Sequence, residues 1–385
     1  MMLSLTKLTV PICKRLRYMV PLSRSFFFKT TPSEPTSNMC GIKLYKGNST
    51  TIDGFDKALE SFATYDKNPC QIMDKVLITD PDFIWGNVFN GFLSKIYGYE
   101  IKTDSYSKVL QWIEENSTNT EIPKIEKYLA SAYIYYSHGN IRRCTNLLEN
   151  ILLEQPTNLF IIKILQDIYD KQGAYSEMIS SIYRVWAYWN PKIYAYKYIF
   201  GLRSYAQVQN GNYQQSEETA LEGLNNNHED IPSLHSLLHI LGVEGRLRES
   251  MRYLRECEDS WENSSIQVHF LFHKCINHIE QGNTQFAINT FIDLLEGHSN
   301  NLFNNLIDQT NLLYRFELEG KNMKENWILN NDYWNKYPMN NNIYTHLYKY
   351  ISSICLNPEN AYILNTQDLS TQSTIPNHIQ LGIYI

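Results

Sequence analysis

The sequence predicts an all-α protein, a right-handed α-solenoid of stacked helical hairpins, on three observations. Six glycines (Gly139, Gly173, Gly211, Gly245, Gly282 and Gly320) punctuate the chain at steps of 34, 38, 34, 37 and 38 residues. That is close to the period of a tetratricopeptide-like helix-turn-helix unit. The segments that follow several of them, such as NIRRCTNLLENILLEQP and NTQFAINTFIDLLEG, carry apolar residues at i, i+3, i+4 and i+7, the spacing a helix needs to pack between neighbours. Finally, an H-x-x-x-H pair occurs twice at the repeat distance, as His235/His239 and His269/His273. A chain of 385 residues would ordinarily form two domains, but a repeat array packs each unit only on its neighbours, so one continuous solenoid is admissible.

Residues 1–38 stand apart from this pattern. They carry Lys7, Lys14, Arg15, Arg17, Arg24 and Lys29 with no acidic residue before Glu34, the composition of a mitochondrial transit peptide. The competing reading places the translation start at Met39 and the protein in the cytoplasm. Without those six charges the formal net charge falls from −6 to about −12, which argues against nucleic acid as a partner.

The solenoid is expected over residues 39–355. A first hairpin is read from GFDKALESFATY and from the helix after the Asp80-Pro81 turn. Helices at Lys108–Glu115 and Ile125–Ser137 follow, and then the glycine-punctuated units, each glycine supplying a left-handed turn where a side chain would clash. The tract Tyr183–Tyr205 holds two tryptophans and is broken by Pro191. It is read as core filling a wide repeat in preference to a peptide groove. Residues 356–385 are rich in Ser, Thr, Gln and Asn, and a loosely ordered tail is expected.

Composition narrows the function classes. Hydrophobic residues make up 43% of the chain, without an apolar run near the roughly 20 residues that span a bilayer, so no membrane span is expected. The seven cysteines form no C-x-x-C pair, which excludes a zinc ribbon and gives no disulfide framework. G-x-S-x-G, H-E-x-x-H and P-loop patterns are absent.

The four histidines carry what chemistry the sequence offers. Residues four apart share a helix face, so each pair can hold one ion through two imidazoles, and stacked first helices would bring the pairs together. His235 lies 10 residues before its turn glycine and His269 lies 13 before its own, which predicts a displacement of about one helical turn between them. Three readings are open: half-buried packing imidazoles bonded to Asp308, Glu280 or backbone carbonyls, a metal or small-anion site, and a catalytic base. Packing is preferred. Asp308 and Arg315, seven apart on one face, are read as an ion pair between repeats.

The chain from about Cys40 to about Cys355 resembles the tetratricopeptide repeat protein 38 family. The likeness is densest from Tyr183 to Trp327, through His235/His239, Trp261, His269/His273 running to Glu280-Gln281-Gly282, and Leu313-Tyr314-Arg315 ending at Gly320. STT before FDKAL and the DP-x-F at Asp80 to Phe83 match as well. The resemblance implies architecture and no particular reaction. It adds Asp167 to the candidate groove residues, as a retained acid. Against the family pattern, Asn87, Gln166, Gln209, Gly242 and Lys349 replace groove groups that could hold a proton or a metal. That neutralisation favours a non-enzymatic scaffold binding a protein or peptide in its concave groove, over a histidine-lined enzyme using a divalent transition metal.

Overall fold

The computed structural model describes residues 42, 44, 47–66, 68–297, 303–337 and 343–357. The described residues are helical and contain no strand. The readings for residues 1–38 and for the tail past 357 lie outside them. In order the helices are α1 (Ser49–Ala63), α2 (Pro69–Thr79), α3 (Ile84–Tyr97), α4 (Ser105–Asn116), α5 (Lys124–Ser137), α6 (Ile141–Glu154), α7 (Leu159–Gln172), α8 (Tyr175–Trp186), α9 (Ile199–Gln209) and α10 (Tyr213–Asn226). They continue as α11 (Ile231–Val243), α12 (Leu247–Glu256), α13 (Glu258–Trp261), α14 (Gln267–Glu280), α15 (Thr284–Gly297), α16 (Phe303–Leu318), α17 (Lys324–Lys336) and α18 (Ile343–Leu356). Consecutive helices pack on one another, and first helices also touch across repeats, as α9 on α11 and α14 on α16. This is the expected all-α solenoid. None of its described helices is long and apolar enough to cross a membrane.

All six punctuating glycines sit between the two helices of a hairpin, with φ between +62° and +76°. The expected clash is not the reason for them: a Cβ at each would meet nothing within 4 Å. Glycine is required by the backbone conformation itself. Two of the three longer steps have a visible cause. A short 3₁₀ helix at Tyr194–Tyr198 is inserted before α9, and α13 before α14. RLRESMRYLRECEDSW is therefore two helices, broken at Cys257, with the Trp261 indole donating back to the Leu254 carbonyl at 2.9 Å.

Near the N-terminus the single expected hairpin is three helices, because α2 was missed. Its Pro69 sits in the first turn, where the missing N–H costs nothing. The buried Cys70, Met73, Val76 and Leu77 give it a one-sided apolar face. The aromatic tract fills core only in part: Tyr183, Tyr188 and Tyr194 are exposed. Trp189 and Tyr198 are buried, and the Trp189 indole donates to the Pro156 carbonyl at 3.2 Å.

The superhelix winds tightly enough for its beginning to meet its middle. Phe55, Phe89 and Phe92 in α1 and α3 form ring contacts with Phe160 of α7. The Glu60 carboxylate accepts from the hydroxyls of Tyr194 and Tyr198, and the Tyr65 carbonyl accepts from the Ser265 N–H at 2.6 Å.

Two glycines let α9 and α10 approach the start of α11, and so fix where that helix stands. A Cβ at Gly201 would lie 2.2 Å from Pro232 Cβ and 2.7 Å from backbone atoms of Pro232 and Ser233. One at Gly223 would lie 2.2 Å from Ser233 Oγ. On the other flank, Asn277 of α14 donates to Ser250 Oγ of α12 at 2.7 Å. Gly201→Ala must push α9 off α11 because backbone lies in the way, and a loss of roughly 1–3 kcal/mol is expected in urea unfolding. Gly245→Ala, in open space, is expected to cost about 1 kcal/mol through its positive φ alone.

Candidate metal centre

His235 and His239 lie one turn apart on α11, and His269 and His273 one turn apart on α14. Each offers a ring nitrogen, and the four nitrogens all lie within 4.8 Å of one another. The predicted one-turn displacement is not observed. His235 faces His269 with ring centroids 4.9 Å apart, and His239 faces His273 at 4.6 Å. The pairs are level because the three-residue offset, about 4.5 Å of helix, is taken up at the turn ends of α11 and α14.

The nitrogens are set for an ion. Bonds of about 2.05 Å to a tetrahedral zinc-like ion put neighbouring donors about 3.3 Å apart. Here His235 Nε2 and His239 Nε2 share a hydrogen bond at 2.8 Å, which an ion would replace, and all four nitrogens lie within 4.8 Å of one another. His273 Nε2 is buried with no hydrogen-bond partner. Leaving such a group unpaired costs roughly 1–3 kcal/mol.

Electrostatics keeps these rings in their ligand form. Burial, reinforced by the neighbouring imidazoles, holds His235 and His273 well below the ordinary histidine range. Burial and then His269 bring His239 down to about 3. All four side chains nevertheless retain partial exposure. They occupy a recess deep in the molecule that solvent still reaches.

Acidic and aromatic groups surround the cluster. His269 Nδ1 pairs with Asp308 Oδ2 of α16 at 2.9 Å, which orients the ring and leaves its other nitrogen for a ligand role. Tyr205 of α9 stacks on His235 at 5.5 Å, and its hydroxyl donates to Asp170 Oδ1 of α7 at 3.2 Å. Burial lifts the Asp170 carboxyl to about 6. Further along α7, Lys163 is 3.6 Å from Asp167, and Asp167 accepts from the Tyr97 hydroxyl. Burial is the largest influence on Lys163 and opposes its charge, but Asp167, Tyr65 and Tyr99 together outweigh it, and the ammonium titrates above its usual range.

The sequence candidates thus divide. The four histidines and Asp308 come together. Arg315 does not pair with Asp308: it reaches Glu280 at 3.5 Å while Asp308 is taken by His269. Each still links two repeats. Asp167 lies on the inner wall, bound to Lys163 and Tyr97. Of the substituted positions, Asn87 donates to the carbonyls of Pro81 and Phe83, and Gln166 to that of Met178. These two serve helix packing, which weakens the inference drawn from their lost charge. Gly242 is exposed with nothing within 4 Å of a Cβ.

Tyr205 and Asp170 were missed, although a signal for the first exists. Stepping back 34 residues from His239 lands on Tyr205 and again on Lys171, while the same steps from His235 land on Gly201 and Asp167. No protein-family model matches the chain.

For these histidines the folded chain binds protons more weakly than the unfolded one. Stability in the metal-free protein is therefore fully present above about pH 6.5 and is lost progressively as pH falls toward 3. Urea unfolding from pH 7.5 to 4 is expected to show this decline, and His239→Gln/His273→Gln is expected to flatten it.

Proposed function

We propose that this protein is a metal-binding helical-repeat protein, with His235, His239, His269 and His273 holding one divalent transition ion between two consecutive repeats. The observation that carries this reading is the convergence of four imidazole nitrogens within 4.8 Å. An all-imidazole set suits zinc, cobalt(II), nickel(II) and copper(II). Four protein ligands fill a tetrahedral sphere, so the reading assigns a structural or storage role and no open position for catalysis. Asp308 and the Asp170–Tyr205 pair supply nearby negative charge and ligand orientation. A peptide in the concave groove, the preference from sequence, draws on the architecture alone, whereas the metal reading draws on a specific geometry.

Full-length protein dialysed against zinc is expected to retain one equivalent by elemental mass spectrometry. Cobalt(II) is expected to give the visible absorption of a tetrahedral complex. His235→Ala/His269→Ala should retain none, and wild type retaining under a tenth of an equivalent would sink the reading. Asp308→Asn is expected to weaken zinc binding about 10–100-fold in a chelator competition, since it disturbs a ligand's orientation without removing it.

A further inference from the structure

Tyr65 is the only non-glycine residue with positive φ (+56°) among the described residues. It follows the end of α1. The Asp66 N–H bonds back to the Ser61 carbonyl at 2.9 Å, and the Tyr65 N–H to that of Phe62 at 3.5 Å. This is the hydrogen-bond pattern of a helix stop whose left-handed residue is usually glycine. Glycine holds the left-handed position at every one of the six punctuating turns and at Gly98 after α3. A tyrosine there is strained, and strain persists only where surrounding structure enforces it.

What enforces it lies beside the histidines. The Tyr65 ring stands over the Lys163 ammonium at 4.5 Å and packs against the apolar cluster containing Leu234, Leu238 and Phe270. Two of those residues directly adjoin His235 and His239 in sequence, and Phe270 follows His269. The Tyr65 carbonyl takes the N–H of Ser265, one turn ahead of His269 on the approach to α14. Lys163 in turn is close enough for its charge to oppose protonation of His235. A single residue of the first hairpin therefore touches α7, the α11 neighbourhood and the entry to α14.

We propose that Tyr65 is a strained latch that narrows the histidine recess and whose release widens the path by which the ion enters and leaves. The role as a metal gate rests on the function proposed above, but the narrowing itself does not. Tyr65→Gly removes both ring and strain while keeping the left-handed turn and the carbonyl that takes the Ser265 N–H.

The test is diethyl pyrocarbonate labelling of metal-free, full-length protein, read per histidine by peptide mass spectrometry. In Tyr65→Gly, labelling of His235, His239, His269 and His273 is expected to rise at least about fivefold, the factor carried by one net hydrogen bond. His228, already exposed, should label unchanged and reports that the rest of the molecule is intact. Ser265→Pro, which deletes the N–H donor together with the hydroxyl that meets Tyr99, should raise labelling in the same direction. Unchanged labelling of the four histidines in both variants overturns the latch. On zinc-loaded protein, Tyr65→Gly should lose metal to a chelator at least about fivefold faster at unaltered stoichiometry, and equal rates overturn the gating role. Absence of bound zinc in the wild type defeats the metal reading, while the labelling result still decides the latch.

Discussion

Burying a polar helix face is costly, and the architecture of this molecule follows from how that cost is met. The inner edges of α7, α9, α11, α14 and α16 carry Lys163, Asp167, Asp170, Tyr205, four histidines and Asp308, and the tight superhelix turns all of them inward. Charged groups so placed must pair or become neutral. Lys163 and His269 find carboxylates, Asp170 takes a hydrogen bond from Tyr205, and three of the histidines remain neutral because burial and their neighbours forbid charge. The last solution crowds uncharged imidazoles together, His235 and His239 sharing a hydrogen bond at 2.8 Å between their Nε2 atoms.

The first hairpin does more than begin the array. A solenoid unit normally contacts only the units beside it, yet Glu60 binds hydroxyls at Tyr194 and Tyr198, and Tyr65 bonds Ser265. Those contacts span well over a hundred residues of sequence. They convert an open ramp into a closed form, and they give the interior a definite inside from which solvent can be excluded.

The sequence made the repeat legible because its turns need glycine for a backbone reason that shows in every copy. Helix α2 escaped because it is short and its apolar face reads like part of a neighbour. The level placement of the histidines escaped for a different reason. Counting back from the turns assumes that the turns are aligned, whereas the side chains in the interior set the register and the space around the turn glycines leaves the turns free to differ. Aligning by inner-face position, in steps of 34 residues, brings Asp167, Gly201, His235 and His269 into one column and Lys171, Tyr205, His239 and His273 into another. The Arg315 assignment failed because same-helix spacing says which face a residue takes and nothing of which neighbouring strut carries its partner.

That column arrangement bears on how such a centre can arise. Two of its four nitrogens come from one hairpin and two from the next, at the same heights and from the same pair of positions. A single two-histidine helix, once copied in tandem, brings its duplicate to face it without further invention. One H-x-x-x-H helix is half of such a centre, and its counterpart 34 residues on supplies the other half.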